Sequence, residues 1–237
     1  KSYNLVTWML ISAFVVSHLF EVLVYHPEKL AEDPWALFKI WEGMSSFGGF
    51  MGAALGIILF NKRHLEGKDE VWRYVDCIAF AFPFGWIFGR TGCTIALDHP
   101  GIETDFFLGF QRSSGIVIHN LGFYEMIFTV FLAGFLWAIR NKHFYSGFWV
   151  GLLWTVYAPV RFTLDFFRTR DVKYLELTPG QWSAIAMLVI SIAILIIRKR
   201  AGDTEPFTSG TTTPAATPAA HAAVCRWPTL IPPREIK

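Results

Sequence analysis

Phe84-Gly-Trp-Ile-Phe-Gly-Arg-Thr-Gly-Cys-Thr-Ile-Ala-Leu-Asp98 is the stretch on which the fold turns. A nearly uninterrupted apolar run over residues 75–88 ends there in Gly89-Arg90-Thr91-Gly92. A cation at the end of a membrane-grade segment is costly unless it snorkels to the interface or meets an anion. Gly89 and Gly92 flank the arginine and let another backbone or a ligand approach it. The expectation is that Arg90 holds a lipid phosphate and that the other helices bring polar groups to it.

Composition agrees with a bilayer as solvent. Of 237 residues, 53% are hydrophobic and only 17% are charged, the balance of an integral membrane protein. A net charge of +2 carries no nucleic-acid signature. Cys77, Cys93 and Cys225 show no metal-ligand spacing. No cleavable signal peptide is visible, and a chain that begins at Lys1 suggests truncation at the N-terminus.

Six apolar segments approach the roughly 20 residues needed to cross a bilayer. They lie at about 4–25, 44–60, 75–91, 121–139, 146–167 and 182–198. The reading is therefore an all-α, polytopic helical bundle over residues 1–200. From about Asp203 the composition turns to Thr, Pro and Ala, so 201–237 reads as a disordered cytoplasmic tail. In the second segment Gly48, Gly52 and Gly56 recur every four residues, as do Ser45, Gly49 and Ala53, a spacing that favours close helix packing in lipid.

Positive charge sets the orientation. Lys62, Arg63, Lys68 and Arg73, then Arg140 and Lys142, then Arg198-Lys-Arg200 mark one side as cytoplasmic. The opposite connections are poor in bases except for Arg168, Arg170 and Lys173, and anion binding would explain that exception. With this topology the intramembrane polar groups gather in the outer half. His18 and Glu21 end the first segment, and Arg90 ends the third. His119, Asn120, Tyr124 and Glu125 open the fourth, and Tyr157, Arg161, Asp165 and Arg168 run along the fifth. The spacing of that last set, 4, 4 and 3, predicts a shared helix face. Ionisable residues inside spans mark a functional site by default; the structural alternative is a set of ion pairs such as Arg161–Asp165 or Arg90–Glu125. Arginine suits phosphate, because its planar fork grips two oxygens and keeps its charge.

At this point the residues resemble a known family, the bacterial prolipoprotein diacylglyceryl transferases. Residues 18–25, with the run on to Lys39-Ile-Trp-Glu-Gly43, resemble its first long outer loop. Met44-Ser-Ser-Phe-Gly-Gly49 resembles its Ser-Phe-His-Gly-Gly motif, and Gly89-Arg-Thr-Gly92 its Gly-Arg-x-Gly-Asn signature. His119-Asn-Leu-Gly-Phe-Tyr-Glu125 is similar to its His-Pro-x-Gln-x-Tyr-Glu block. Tyr157-Ala-Pro-Val-Arg-Phe-Thr-Leu-Asp-Phe-Phe-Arg168 and Thr178-Pro-Gly-Gln181 are similar to its last signature. The chain departs from the pattern at Phe47, where the family has His. It departs again at His18, Cys93, Ala96, Asp98 and Asp165. The family has seven spans, so six here fit the loss of the first.

The resemblance implies a reaction in the bacterial inner membrane, with the active site toward the outer leaflet. The diacylglyceryl group of phosphatidylglycerol passes to the lipobox cysteine of a prolipoprotein signal peptide. It implies Arg90 and Arg161 on the phosphate and His119 as general base, with His99 as runner-up. Glu125 and Asp165 would orient the arginines, Tyr124 and Tyr157 would bond the headgroup, and Gly48, Gly49, Gly89 and Gly92 would permit close packing near the lipid. No metal or organic cofactor is implied. Two alternatives stay open: a divergent paralogue that binds anionic phospholipid or serves another acceptor, and a membrane transporter.

Overall fold

The computed structural model describes residues 2–41, 43–64, 68–169 and 173–201. The proposed tail with Cys225, and Arg170 of the basic connection, lie outside the described residues. Long helices cover all six apolar segments: α1 Ser2–Phe20, α3 Ser46–His64, α4 Lys68–Ala96, α5 Leu121–Ile139, α6 Phe148–Asp165 and α7 Pro179–Ala201. By length and composition four stretches can cross a membrane: Asn4–Tyr25, Val71–Ala96, Leu121–Ile139 and Pro179–Ala201. α3 is glycine-rich and ends in Lys62, Arg63 and His64, and the 18 residues of α6 include Arg161 and Asp165. The lipid-grade faces are apolar outward, with Leu10, Phe88, Ile95, Phe131 and Ile197 exposed.

The structure amends three expectations. The chain is not all-α: after α4, strands β1 Pro100–Glu103, β2 Phe110–Gln111 and β3 Val117–Asn120 form an antiparallel sheet in the order β1-β3-β2. A 24-residue connection between two long helices must pair its own backbone groups, and a short sheet does so. Next, α4 does not end at Arg90 but runs on to Ala96. The hydroxyls of Thr91 and Thr94 donate to the carbonyls of Ile87 and Arg90 one turn back, at 2.8 Å each, inside a continuous helix. Finally, Arg168 does not share the face of Tyr157, Arg161 and Asp165. α6 stops at Asp165, and Arg168 lies in extended backbone paired with Gly101 of β1.

Between α1 and α3 lie a π-helical turn Glu21–Tyr25, a short helix α2 Pro27–Glu32 and a 3-10 turn Pro34–Phe38. His18, only 1% exposed, ties this loop down: its ring nitrogens lie 3.1 Å from the Gly43 carbonyl and 3.0 Å from that of Ala36. These contacts are structural.

α1 packs along α3, α4 along α5 and α6, and α6 along α7. The glycine stripe works as its spacing predicts. A Cβ on Gly48 would come within 2.8 Å of the Ser17 Cα, and one on Gly56 within 2.7 Å of the Trp8 carbonyl oxygen. A Cβ on Gly52 would run into the backbone of Ser12 and Ala13. Between α4, α5 and α6 the core is aromatic and aliphatic, built on Phe80, Leu132, Leu136, Trp149, Leu153 and Tyr157.

The end opposite the sheet holds a polar knot of its own. Asp76 of α4 accepts from the backbone N–H groups of Gly147, at 2.7 Å, and Val150, at 3.0 Å, so it caps the start of α6 from another helix. Arg198 of α7 donates from Nε to the Ser146 carbonyl at 3.1 Å and lies over the Trp72 ring.

Two predictions follow from packing alone. Gly52→Ala pushes α1 from α3 and lowers the melting temperature of the detergent-solubilised protein, while Gly85→Ala, which meets nothing within 4 Å, leaves it unchanged or raises it. Asp76→Ala strands two buried N–H groups and destabilises by about 1–3 kcal/mol, with Asp76→Asn losing less, as read by thermal unfolding.

Candidate functional site

At the sheet end, three helices each deliver charge to one point. Glu125 comes from the first turns of α5, whose start is fixed by Asn120. The Asn120 side chain accepts from the Phe123 N–H and donates to the Thr94 carbonyl at 3.0 Å, locking α5 to the end of α4. That lock aligns Glu125 with Arg90 of α4. The Arg90 guanidinium meets Glu125 Oε1 at 2.9 Å. From α6, Arg161 approaches Glu125 Oε2 at 3.8 Å and binds Asp165 Oδ1, one turn along, at 2.9 Å. The Tyr157 hydroxyl donates to Glu125 Oε1, and the Trp86 indole N–H donates to the same atom at 3.2 Å.

All of these groups are buried: Arg90 is 3% exposed, Glu125 1%, Arg161 7% and Asp165 2%. In a dry environment a lone charge is prohibitive, so the two guanidiniums and two carboxylates stand only as a set. Aromatic rings complete it. The Arg90 guanidinium lies 4.5 Å from the Trp86 ring centre, and that of Arg161 lies 5.5 Å from the Phe47 ring centre.

Asp165 is positioned by α7. The Thr178 hydroxyl donates to Asp165 Oδ2 at 2.9 Å. Thr178 and Gln181 also cap α7 reciprocally, with Gln181 N–H to Thr178 Oγ1 at 3.1 Å and Thr178 N–H to Gln181 Oε1 at 3.0 Å. Gly180 is required there, since a Cβ would overlap the Asp165 carboxylate.

Arg90, Glu125, Tyr157, Arg161 and Asp165 are thus brought together as one cluster. His119 and Tyr124 form a separate pair, 2.8 Å from Nδ1 to the hydroxyl, set among the rings of Phe106 and Phe167. Gly48 serves the α1 contact, and Gly49 makes only ordinary contact with Ser17. A Cβ on Gly89 or Gly92 meets no protein atom within 4 Å. Both are exposed on α4, facing away from the bundle. Sequence reasoning missed Trp86 and Thr178 as partners of the charged set. Trp86 was within reach of a pattern argument, because it lies one helical turn before Arg90. Thr178 was not, because its partner is on another helix.

A cavity of about 280 Å3 is lined by Tyr25, His26, Asp98, His99, Pro100, Arg168 and Thr169. Two buried nitrogens have no hydrogen-bond partner among the described residues: Arg90 Nε in the cluster and His99 Nδ1 at the cavity. Burial and the positive charges of Arg90, Arg168 and Arg161 push His99, outside the spans, down to about 3, so its imidazole is neutral at physiological pH. Among the described residues no three His, Cys, Asp or Glu side chains gather as a metal site. Glu125→Gln removes the carboxylate that pairs with Arg90 and leaves Arg161 with Asp165 alone, and it costs about 3 kcal/mol or more in unfolding stability. Adding Arg90→Gln recovers part of that loss, a coupling measured by a double-mutant cycle in detergent.

The chain's relatives carry one description. A family model for prolipoprotein diacylglyceryl transferase matches residues 1–197. Similar curated proteins are named phosphatidylglycerol–prolipoprotein diacylglyceryl transferase. That of Tolumonas auensis is 29% identical over 202 residues, covering 82% of this chain and 78% of the relative. That of Janthinobacterium sp. (strain Marseille) is 27% identical, covering 80% and 74%. That of Phenylobacterium zucineum is 30% identical, covering 81% and 73%.

Proposed function

We propose, from the premise that this chain belongs to the prolipoprotein diacylglyceryl transferase family, that it transfers the diacylglyceryl group of phosphatidylglycerol to the lipobox cysteine thiol of a prolipoprotein. A carbon–sulfur bond forms at the glycerol carbon, the bond from that carbon to the phosphate oxygen breaks, and glycerol phosphate leaves with the electron pair. The reacting cysteine belongs to the acceptor, so the enzyme needs no nucleophile of its own.

The observation that carries this reading is the convergence of Arg90 and Arg161, from two helices, on the single carboxylate of Glu125. Glu125 and Asp165 aim the guanidiniums, and the unpartnered Nε of Arg90 is left to donate to a phosphate oxygen. Guanidiniums preset at the leaving group stabilise its charge as the bond breaks. Tyr157 fixes Glu125, while Tyr124 and His119 border the headgroup from the sheet side. The reaction draws on no metal or organic cofactor.

In the bilayer α3 and α6 join the other four long helices as spans: α3 is seated on α1 by its glycines, and the charged Arg161 and Asp165 of α6 are paired inside the bundle. That makes six spans. Lys62, Arg63, Arg140, Lys142 and Arg198 keep one end cytoplasmic, which turns the arginine cluster toward the outer leaflet of the bacterial inner membrane.

A second reading rests on Phe47. Its ring, 3% exposed, occupies the place under Arg161 where the family motif carries an imidazole. A chain altered there can bind anionic phospholipid yet serve another acceptor.

Complementation separates the two. In cells depleted of their own diacylglyceryl transferase, the wild-type chain yields thioether-modified lipoprotein by mass spectrometry, and Arg90→Ala and Arg161→Ala yield none. A membrane-inserted wild type that yields none, while still retaining labelled phosphatidylglycerol, favours the second reading.

A further inference from the structure

Two imidazoles flank the arginine cluster, and their surroundings differ. His119 Nδ1 is engaged by the Tyr124 hydroxyl, and its ring is wedged among Phe106, Phe167 and Tyr124. His99 follows α4 directly, lines the 280 Å3 cavity, and holds a buried Nδ1 with no partner among the described residues. An unengaged imidazole nitrogen at a cavity wall is costly as structure and useful as a proton acceptor. The charges that reach His99 come from every side of the site: Arg90 on α4, Glu125 on α5, Arg161 on α6 and Arg168 beyond it. Asp98, Tyr25 and His26 share its cavity, and His26 is engaged with Glu21 and Glu28. Burial and three positive groups, opposed only in part by Glu125, disfavour a positive charge on His99.

We propose that His99 is the general base that takes the proton of the acceptor thiol, and that it becomes effective only when an anionic lipid phosphate is seated between Arg90 and Arg161. This rests on the transferase reading above. A bound phosphate monoester or diester adds negative charge near His99, and the penalty on an imidazolium falls. The sequence is then ordered. Lipid binds first and the thiol S–H donates its proton to His99. The sulfur forms its bond to the glycerol carbon, and the carbon–oxygen bond to phosphate breaks. The imidazolium then returns the proton to the departing glycerol phosphate. Without lipid the base stays weak, so a prolipoprotein cysteine entering an empty site is not turned into a reactive thiolate. The cavity volume is at the low end for a ligand pocket and suits a cysteine with its small neighbours rather than an acyl chain.

The test uses the full chain in nonionic detergent with dipalmitoyl phosphatidylglycerol and a lipobox peptide, comparing wild type, His99→Gln and His119→Gln from pH 5.5 to 9. The expected result for His99→Gln is a kcat lower by about 100-fold near neutrality, with KM for the lipid within about twofold. Its rate climbs about tenfold per pH unit toward the thiol's own ionisation near 8.5, whereas the wild type reaches a plateau well below that. Added imidazole restores part of the lost rate. In parallel, the nitrogen-15 signal of His99 titrates about one pH unit or more higher with phosphatidylglycerol than without it. An unchanged kcat and pH profile in His99→Gln, or the same loss in His119→Gln alone, overturns the assignment to His99 while leaving the transferase reading intact. An unmoved titration midpoint overturns the lipid gating. A wild type with no transfer at all overturns the transferase reading and this proposal with it.

Discussion

Charge buried away from water has to be neutralised locally, and in this protein that requirement joins three helices at one atom group. Glu125 receives Arg90 from α4, Arg161 and Tyr157 from α6, and the Trp86 indole. None of these groups is affordable alone in a low-dielectric bundle, and their mutual attraction there is far stronger than in water. The contact therefore specifies the register of α4, α5 and α6 against one another. It also reaches α7, since Asp165 is held by the Thr178–Gln181 cap.

The bundle between its two ends needs less instruction. Large apolar side chains such as Phe80, Trp149, Leu136 and Leu153 fill the interior, and similar ones face outward. In lipid, apolarity does not separate inside from outside, so specificity moves to small residues and polar contacts. Gly48, Gly52 and Gly56 seat α3 on α1, Thr155 meets Ser191 at 3.0 Å between α6 and α7, and Asp76 and Arg198 close the far end. Among the described residues the buried charges gather at the two ends, which suits chemistry at one membrane face better than passage through it.

Function follows from an asymmetry between these clusters. At the far end Asp76 spends both carboxylate oxygens on backbone N–H groups, an arrangement that holds structure. At the sheet end, among the described residues, Arg90 Nε and His99 Nδ1 have no hydrogen-bond partner, and His99 lines a cavity. Unspent donors and acceptors next to an opening are what a phosphate and a thiol can use.

Apolar runs, glycine spacing and the placement of basic loops were enough to identify the helices, the α1–α3 seam and the residues of the charged cluster, because each is a local pattern that lipid imposes on a chain. Five of the proposed site residues, Arg90, Glu125, Tyr157, Arg161 and Asp165, were legible in that way as polar groups where lipid tolerates none. What the one-dimensional pattern could not reach was set by contacts between distant segments. The helix runs past Gly92 to Ala96 because nothing breaks it. Arg168 leaves the α6 face to pair with β1, and the sheet forms where a long connection must satisfy its own backbone. The same holds for the two histidines. Their spacing in the chain favours neither, and only the packed structure engages His119 with Tyr124 while leaving His99 Nδ1 without a partner among the described residues, since the electrostatics of a side chain belong to what surrounds it in space.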